Sequence, residues 1–314
     1  MPTPSLHSLL RGGRAHIRYL WIGGVLLYLV AAWWIGWETL ADAIIGADWR
    51  YVGLLAVTET AALLLRVAKW RIVLGPSSGA GAACMISKAG GNFSPGRIGE
   101  LAPLLFKQHR SMKVGAWVLA DRLLEICATL GMGLAAVFVI GFDVAGTLPF
   151  WIGGVLLCCA AVAWLTARHD ILEALVMRLP ARWRPVALIE TIRGVGAEFR
   201  SFGKTAPLLT LLTVLGKALD IATGWALFMV FAAPVAASHL MAAQAVHALT
   251  TIVPLTPNAT GIPYAVTAVY LHEAAQVPWA VYAASVPIRF AESTLVFWAV
   301  FVYFVGFRWP VEEK

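Results

Sequence analysis

Three pairs of opposite charge, each spaced i,i+3, lie inside long apolar stretches of this sequence: Arg122 with Glu125, Lys217 with Asp220, and Arg289 with Glu292. Residues three apart lie on one face of a helix, so the members of each pair can contact each other. A charge at the centre of a membrane helix costs roughly 2.5–3.5 kcal/mol and is retained where it is paired or faces a cavity. Arginine also binds phosphate in bidentate geometry. The pairs are therefore either salt bridges that lock helices together or binding residues for an anionic headgroup.

Two further apolar regions, 80–106 and 239–275, are interrupted by Pro and Gly. Helix N-termini at such breaks favour anions, so we predict that the interruptions meet Arg122 and Arg289 at one substrate site. Candidate binding residues in these regions are Lys88, Asn92, Pro95, Arg97, Gly99 and Glu100 in the first, and Pro257 and Gly261 in the second. A second interpretation places the amine of Lys88 at the membrane interface and gives Glu100 a helix-capping role.

The amino-acid composition is that of a membrane protein. Of 314 residues, 60% are hydrophobic and 13% are charged, whereas soluble domains have about 25% charged residues. The formal net charge of +7 does not indicate a nucleic-acid partner, because the basic residues lie in short segments beside apolar runs. This pattern is typical of membrane topology and of contact with anionic headgroups. The expected partner is a membrane lipid, with no nucleic acid.

Apolar runs of about twenty residues are long enough to cross a hydrocarbon layer of roughly 30 Å. The sequence contains six such runs: 17–37, 50–72, 114–142, 147–166, 205–232 and 279–307. The two interrupted regions do not fit simple spans, because irregular backbone at membrane depth needs protein or water around it. We predict an all-α integral membrane protein, a polytopic bundle of about six full spans plus two re-entrant hairpins.

The distribution of Lys and Arg predicts the orientation. Basic residues occur at both termini, in the long loop 167–204, and after the second span, where Lys69 and Arg71 are counted as turn residues. The predicted outer loops contain none: 38–49, 143–146 and 233–238. Both termini are therefore expected to be cytoplasmic, in a bacterial cytoplasmic (inner) membrane. Segment 167–204 is either a helix on the inner leaflet or a cytoplasmic connector.

The order of elements predicts an inverted repeat within a single membrane domain that covers residues 1–314. Each half, 17–142 and 147–307, contains a span, a span, a hairpin and a span, and segment 167–204 belongs to the second half. Three crossings per half is an odd number, so the second half is inserted upside down relative to the first. Both halves also carry P-x-x-x-G in the hairpin and R-x-x-E in the next span.

No catalytic constellation is visible in the sequence. It contains no Gly-rich phosphate loop, no H-E-x-x-H motif and no nucleophile elbow. Its four cysteines lie in apolar stretches without metal-ligand spacing. We expect no catalytic residue, no metal, no cofactor and no enzymatic activity, and any transport would be equilibrative or ion-coupled.

A family resemblance rests on residues 92–100, which read N-F-S-P-G-R-I-G-E, and on Asp121, Arg122 and Glu125 in the following span. These residues resemble the N-x-x-P-G-R-x-G-E and E-R-x-x-D motifs of the lysylphosphatidylglycerol synthase transmembrane family, with the two acids of the second motif exchanged. The resemblance covers nearly the whole chain and continues at three further positions: Pro257, Gly261 and Arg289. It departs from the family pattern at Pro103 and around Asn258.

The resemblance implies a flippase-like domain that translocates a phospholipid or a polyprenyl-linked lipid between leaflets. The chain ends seven residues after the last predicted span, so the soluble aminoacyltransferase domain and aminoacyl transfer are not expected. The leading hypothesis is a lipid translocase that holds an anionic headgroup in a midplane cavity. One alternative is a membrane enzyme that acts on a lipid headgroup through Glu100. Another is an accessory subunit of a lipid-modifying enzyme, and homo-oligomerisation is also an open prediction.

Overall fold

The computed structural model describes residues 26, 28–30, 32–76, 79–94, 98–106, 109, 111–141, 146–178, 186–251 and 262–305. These residues form helices joined by turns, without a strand among them. The α-helices are α1 (Trp37–Ile45), α2 (Arg50–Leu74), α3 (Ala80–Phe93), α4 (Met112–Ile140), α5 (Leu148–Ala167), α6 (His169–Met177), α7 (Val186–Ser201), α8 (Ala206–Met229), α9 (Ala237–Thr251), α10 (Ile262–Ala275) and α11 (Trp279–Val305). The 3-10 helices are Ile98–Leu105 and Phe202–Lys204.

Five helices in the described part of the chain are long and apolar enough to cross a membrane, namely α2, α4, α5, α8 and α11. Each coincides with one of the six predicted spans. Their outer faces carry large apolar side chains, such as Phe150 and Leu157, which are 82% and 74% exposed. Apolar surface of this extent is typical of contact with lipid rather than water. The remaining predicted span, 17–37, falls mainly outside the described residues.

Helix α1 occupies much of the stretch 38–49, which the sequence analysis assigns to an outer loop between two spans. Gly36, with a φ of 99°, separates α1 from the helical residues before it, a backbone conformation that glycine adopts readily. The apolar side chains of α1, including Leu40 and Ile44, pack against Ala283 and Ala284 of α11. This packing holds α1 against α11.

The first interrupted region forms two helical arms, α3 and the 3-10 helix Ile98–Leu105, which pack against each other. Ser94, the last described residue before the break, has extended backbone angles. The arms meet at two glycines, because a Cβ added to Gly90 would lie 1.9 Å from the carbonyl oxygen of Gly99. Only glycine at both positions permits this approach.

The second interrupted region also forms two arms, α9 and α10, that pack against each other. They contain 15 and 14 residues, which corresponds to about 22 Å and 21 Å at 1.5 Å per residue. Each arm is therefore shorter than a hydrocarbon layer of roughly 30 Å. The connection, 252–261, is outside the described residues and contains Pro257 and Gly261.

Each of these two-armed regions packs against the last long helix of the other predicted half. Helix α3 contacts α11, and α9 contacts α4, where a Cβ on Gly133 would lie 2.3 Å from the Cβ of Ala245. The second long helices of the halves, α2 and α8, pack against each other along much of their length. Thr223 Oγ1 of α8 donates a hydrogen bond of 2.7 Å to Thr58 Oγ1 of α2. The inverted repeat itself stays a prediction.

Segment 167–204 contains α6 and α7, and α7 packs against α4 and α5. Val195 and Phe199 of α7 contact the largest buried apolar cluster, to which Trp70 and Trp117 also belong. That cluster joins the C-terminal part of α2, the N-terminal part of α4 and the C-terminal part of α11. We call this end of the bundle the closed end.

Candidate substrate-binding site

A cavity of about 420 Å³ lies among α2, α3, α4, α8, α9, α10 and α11, and we call it the main cavity. Its charged lining residues are Glu59, Lys88, Arg122, Glu125, Lys217, Asp220 and Arg289. The lining therefore contains four cationic and three acidic side chains. Helices that are far apart in the sequence bring these charges together within the bundle.

All three predicted charge pairs are present. The nitrogen-to-oxygen distances are 3.6 Å for Arg122–Glu125, 2.9 Å for Lys217–Asp220 and 2.6 Å for Arg289–Glu292. In each case the i,i+3 spacing places both side chains on one helix face. Five of the six residues line the main cavity, whereas Glu292 lies behind it with 6% of its surface exposed.

Arg289 also forms an ion pair between helices that the sequence did not indicate. Its Nη2 donates to Glu59 Oε2 on α2 at 2.8 Å, while its Nη1 donates to Glu292 Oε2 at 2.6 Å. One guanidinium group is thus shared by two carboxylates. This arrangement fixes the orientation of Arg289 at the cavity wall.

Arg66 of α2 is the centre of a second charge network, which sequence reasoning missed. Its guanidinium nitrogens lie 3.1 Å from Glu125, 3.5 Å from Asp121 and 3.9 Å from Glu100. Arg66 is 8% exposed, and such a buried cation needs paired carboxylates. It therefore links α2 to α4 and to the second arm of the first interrupted region. Glu125 connects this network to Arg122 at the main cavity.

Lys69 is a buried ion-pair residue, so its assignment to a turn after the second span was wrong. It lies within α2, is 3% exposed, and places its Nζ 2.5 Å from Asp121 Oδ1. It also donates to Thr213 Oγ1 of α8 at 3.1 Å. Lys69 consequently belongs to the interior of the bundle.

A narrow cavity of about 90 Å³ adjoins the main cavity between α2 and α8 and continues towards the closed end. Five charged residues line both cavities: Glu59, Lys88, Glu125, Lys217 and Asp220. The narrow cavity also has Arg66, Lys69 and Thr213 in its wall. It is far smaller than the main cavity of about 420 Å³, so it is a polar extension too small for a lipid headgroup.

The main cavity is amphipathic. Leu227, Phe228, Leu240 and Leu271 line it, and the last three belong to one buried apolar cluster. We call this part of the cavity the apolar end, and the part lined by the charged residues the charged end. Polar and aromatic side chains also line the cavity: Gln244, His247, Tyr264, Thr267 and Tyr282. Such a wall suits a ligand with one charged part and one apolar part.

Most predicted site residues that the structure describes lie at or next to the main cavity. The lining residues among them are Lys88, Asn92, Arg122, Glu125, Lys217, Asp220 and Arg289. Glu100 is 4% exposed and is linked to the site through Arg66. Gly99 lies where the two arms of the first interrupted region contact each other. Four predicted residues lie outside the described part of the chain: Pro95, Arg97, Pro257 and Gly261.

Comparison with known families matches residues 21–297 to the family described as the lysylphosphatidylglycerol synthase TM region. The chain belongs to this family. Comparisons with curated proteins and with solved structures found no match. Family membership, together with the five long apolar helices, makes this chain a multi-pass membrane protein that acts on lipids.

Five described residues of the family motifs lie at or next to the charged end of the main cavity. Asn92 lines the cavity from α3, and Arg122 and Glu125 line it from α4. Glu100 and Asp121 lie behind them as partners of Arg66. In this family member the two motifs therefore contribute to one charge network.

Proposed function

We propose that this chain translocates a phospholipid or a polyprenyl-phosphate-linked lipid between the leaflets of the inner membrane. The anionic headgroup binds in the main cavity, against Arg122 and Arg289. The observation that carries the proposal is that these two arginines, from different halves of the chain, line one amphipathic cavity inside a bundle of apolar helices.

The arrangement of the arginines supports anion binding. The side chains of Arg122 and Arg289 are each 27% exposed, whereas those of their partners Glu125, Glu59 and Glu292 are 11%, 9% and 4% exposed. The guanidinium groups are therefore more exposed than the carboxylates that hold them, and each has N–H donors beyond those used in these pairs. Preoriented donors of this kind bind phosphate oxygens without a large loss of side-chain freedom.

The dimensions of the cavity support a lipid headgroup as ligand. Its volume of about 420 Å³ lies within the roughly 300–1,000 Å³ usual for small-molecule sites. The charged end accommodates a phosphate group, and the apolar end accommodates the start of the lipid tails. A soluble anion would gain little from the apolar end.

The membrane arrangement that we propose places both interrupted regions as re-entrant hairpins of an inverted repeat. The short arms of α9 and α10 support this arrangement, as does the packing of each hairpin against the last span of the other half. The hairpins then open to opposite sides, and both termini are cytoplasmic. The charged end of the main cavity lies near the midplane, where transporters commonly hold their substrates.

We propose transport without a covalent reaction. Glu100, the candidate acid or base of the enzymatic alternative, is buried behind the cavity at 4% exposure and lies 3.9 Å from Arg66. An acid or base must lie within hydrogen-bond reach of the group that reacts. Its position therefore favours support of Arg66 over contact with a headgroup.

The test is lipid scrambling by purified protein in liposomes, with Arg122→Gln and Arg289→Gln as variants. Each variant removes a charge-assisted hydrogen bond of about 1.5–3 kcal/mol, so the rate should fall about ten- to a hundredfold. Arg193→Gln is the matched control, because Arg193 lies on α7, pairs with Glu173, and is 59% exposed in its side chain.

Wild-type rates in both cavity variants would eliminate the proposed site. A modified lipid produced by the purified protein would favour the enzyme. Scrambling that required a co-purified second chain would favour an accessory subunit.

A further inference from the structure

Glu292 is the most enclosed carboxylate around Arg289. Its side chain is 4% exposed, and its Oε2 accepts the hydrogen bond from Arg289 Nη1 at 2.6 Å. Its other oxygen, Oε1, is buried and receives no hydrogen bond from the described residues. Glu292 therefore depends on Arg289 for its pairing.

Glu59, the second carboxylate on Arg289, has a different environment. It lines both cavities, as do Lys88 and Lys217, and both lysines act on it electrostatically in addition to Arg289. The charged groups that act on Glu292 are Arg289 and the like-charged Glu59, and Asp220 of α8 acts on Arg289. If Arg289 moves away from the two carboxylates, Lys88 and Lys217 remain near Glu59, whereas no other cation among the described residues acts on Glu292.

Arg289 lies between the main cavity and Glu292. Arg289 is part of the cavity lining, and Glu292 is not. A ligand that draws the guanidinium group into the cavity would therefore remove the pairing of Glu292 and expose it to cavity water in one movement. A buried carboxylate that loses its cation takes up a proton instead of remaining charged.

We propose that binding of the anionic headgroup is coupled to protonation of Glu292, with one proton for each headgroup. This inference rests on the proposed function. A phosphate oxygen replaces Glu292 Oε2 as the acceptor for Arg289 Nη1. A proton from cavity water then forms an O–H bond on the Glu292 carboxylate, which becomes a neutral carboxylic acid. When the headgroup leaves, the proton returns to water and Arg289 pairs with Glu292 again.

The coupling keeps the site electrically balanced. The headgroup adds one negative charge to the site, and protonation neutralises the negative charge of Glu292. The total charge of the site is therefore the same with and without the headgroup. Translocation of an anionic lipid with one proton is consequently electroneutral. An isolated charge at membrane depth would be strongly disfavoured.

The first experiment measures scrambling of fluorescent phosphatidylglycerol in liposomes at equal inner and outer pH, between about pH 5.5 and pH 8.5, where its phosphodiester does not titrate. The wild-type rate should fall as pH rises, by up to about tenfold per pH unit for a single coupled proton. Glu292→Gln mimics the protonated acid and should scramble with little pH dependence. Glu292→Asp retains a titrating group and should retain the pH dependence. Glu173→Gln, a carboxylate on α6 away from the cavities, should follow the wild-type profile.

The second experiment needs no variant of Glu292. Vesicles that contain a pH-sensitive dye and wild-type protein receive fluorescent phosphatidylglycerol in the outer leaflet, and the lumen should acidify as the lipid moves inward. Lipid movement without acidification, together with a wild-type rate independent of pH, would overturn the coupling. If Arg289→Gln still abolished scrambling in that case, the translocation site would stand and the proton coupling alone would fail. If Arg122→Gln and Arg289→Gln scrambled at wild-type rates, the proposed function itself would fail.

Discussion

Arg289 Nη2 and Glu59 Oε2 lie 2.8 Å apart although 230 positions separate the two residues in the chain. The bond joins α11 to α2 at the wall of the main cavity. Because Arg289 also bonds Glu292 on its own helix, Glu59 determines how the arginine is held relative to the rest of the bundle.

Glu59→Gln should lower the stability of the protein and loosen Arg289. The substitution removes one charge-assisted hydrogen bond, which corresponds to roughly 1.5–3 kcal/mol, while the pair with Glu292 remains. Thermal unfolding in detergent should show a lower midpoint than the wild type. Glu173→Gln, which removes the partner of the exposed Arg193, should leave the midpoint nearly unchanged. Equal midpoints for Glu59→Gln and the wild type would contradict a structural role for this bond.

Lys69 and Asp121 should behave as a coupled buried pair. Lys69→Met leaves Asp121 with Arg66 at 3.5 Å as its remaining ion-pair partner among the described residues, and breaking a buried pair costs about 3–5 kcal/mol. Asp121→Asn should be comparably destabilising. The double variant should lose less than the sum, by about 0.5–3 kcal/mol, because neither charge is then left alone. Unfolding midpoints of the four proteins measure this difference, and additive losses would show that the two residues act independently.

The sequence predicted the elements of this site better than their partners. The i,i+3 pairs, the two interrupted regions and five long spans depend on local spacing, hydropathy and Pro or Gly content, all of which can be read over short distances. The bond between Glu59 and Arg289 depends on how α2 and α11 pack. A single sequence contains no local signal for that packing.

Arg66 and Lys69 were missed although a local signal was present. Glu59 and Arg66 are seven residues apart, and Lys69 follows three residues later, so a helical arrangement places them on nearly one face. Reading 50–72 as a plain apolar span overlooked what three charges cost at membrane depth. The same cost that identified Arg122 and Arg289 applies to this helix.

Gly90→Ala should prevent the two arms of the first interrupted region from packing. The added Cβ would lie 1.9 Å from the Gly99 carbonyl oxygen and 2.7 Å from its carbon, and both are backbone atoms that cannot rotate away. The yield of monodisperse protein after extraction should fall sharply. Gly131→Ala is the control, because nothing lies within 4 Å of an added Cβ there and alanine favours the helix by about 0.5–1 kcal/mol. Normal yield and stability of Gly90→Ala would mean that the arms do not meet at these glycines.

Gln244→Trp should block transport without removing a charge. Gln244 lies on α9 in the wall of the main cavity, so an indole there would occupy space that the lipid needs. Leu157→Trp is the control for a larger side chain, because Leu157 is 74% exposed on the outer face of α5. Scrambling in liposomes should stop or fall strongly in Gln244→Trp and stay normal in Leu157→Trp, with similar unfolding midpoints for both variants. A normal scrambling rate in a folded Gln244→Trp variant would show that the lipid does not pass Gln244. In that case Arg122 and Arg289 would still bind the headgroup, but the lipid path would lie outside the rest of the main cavity.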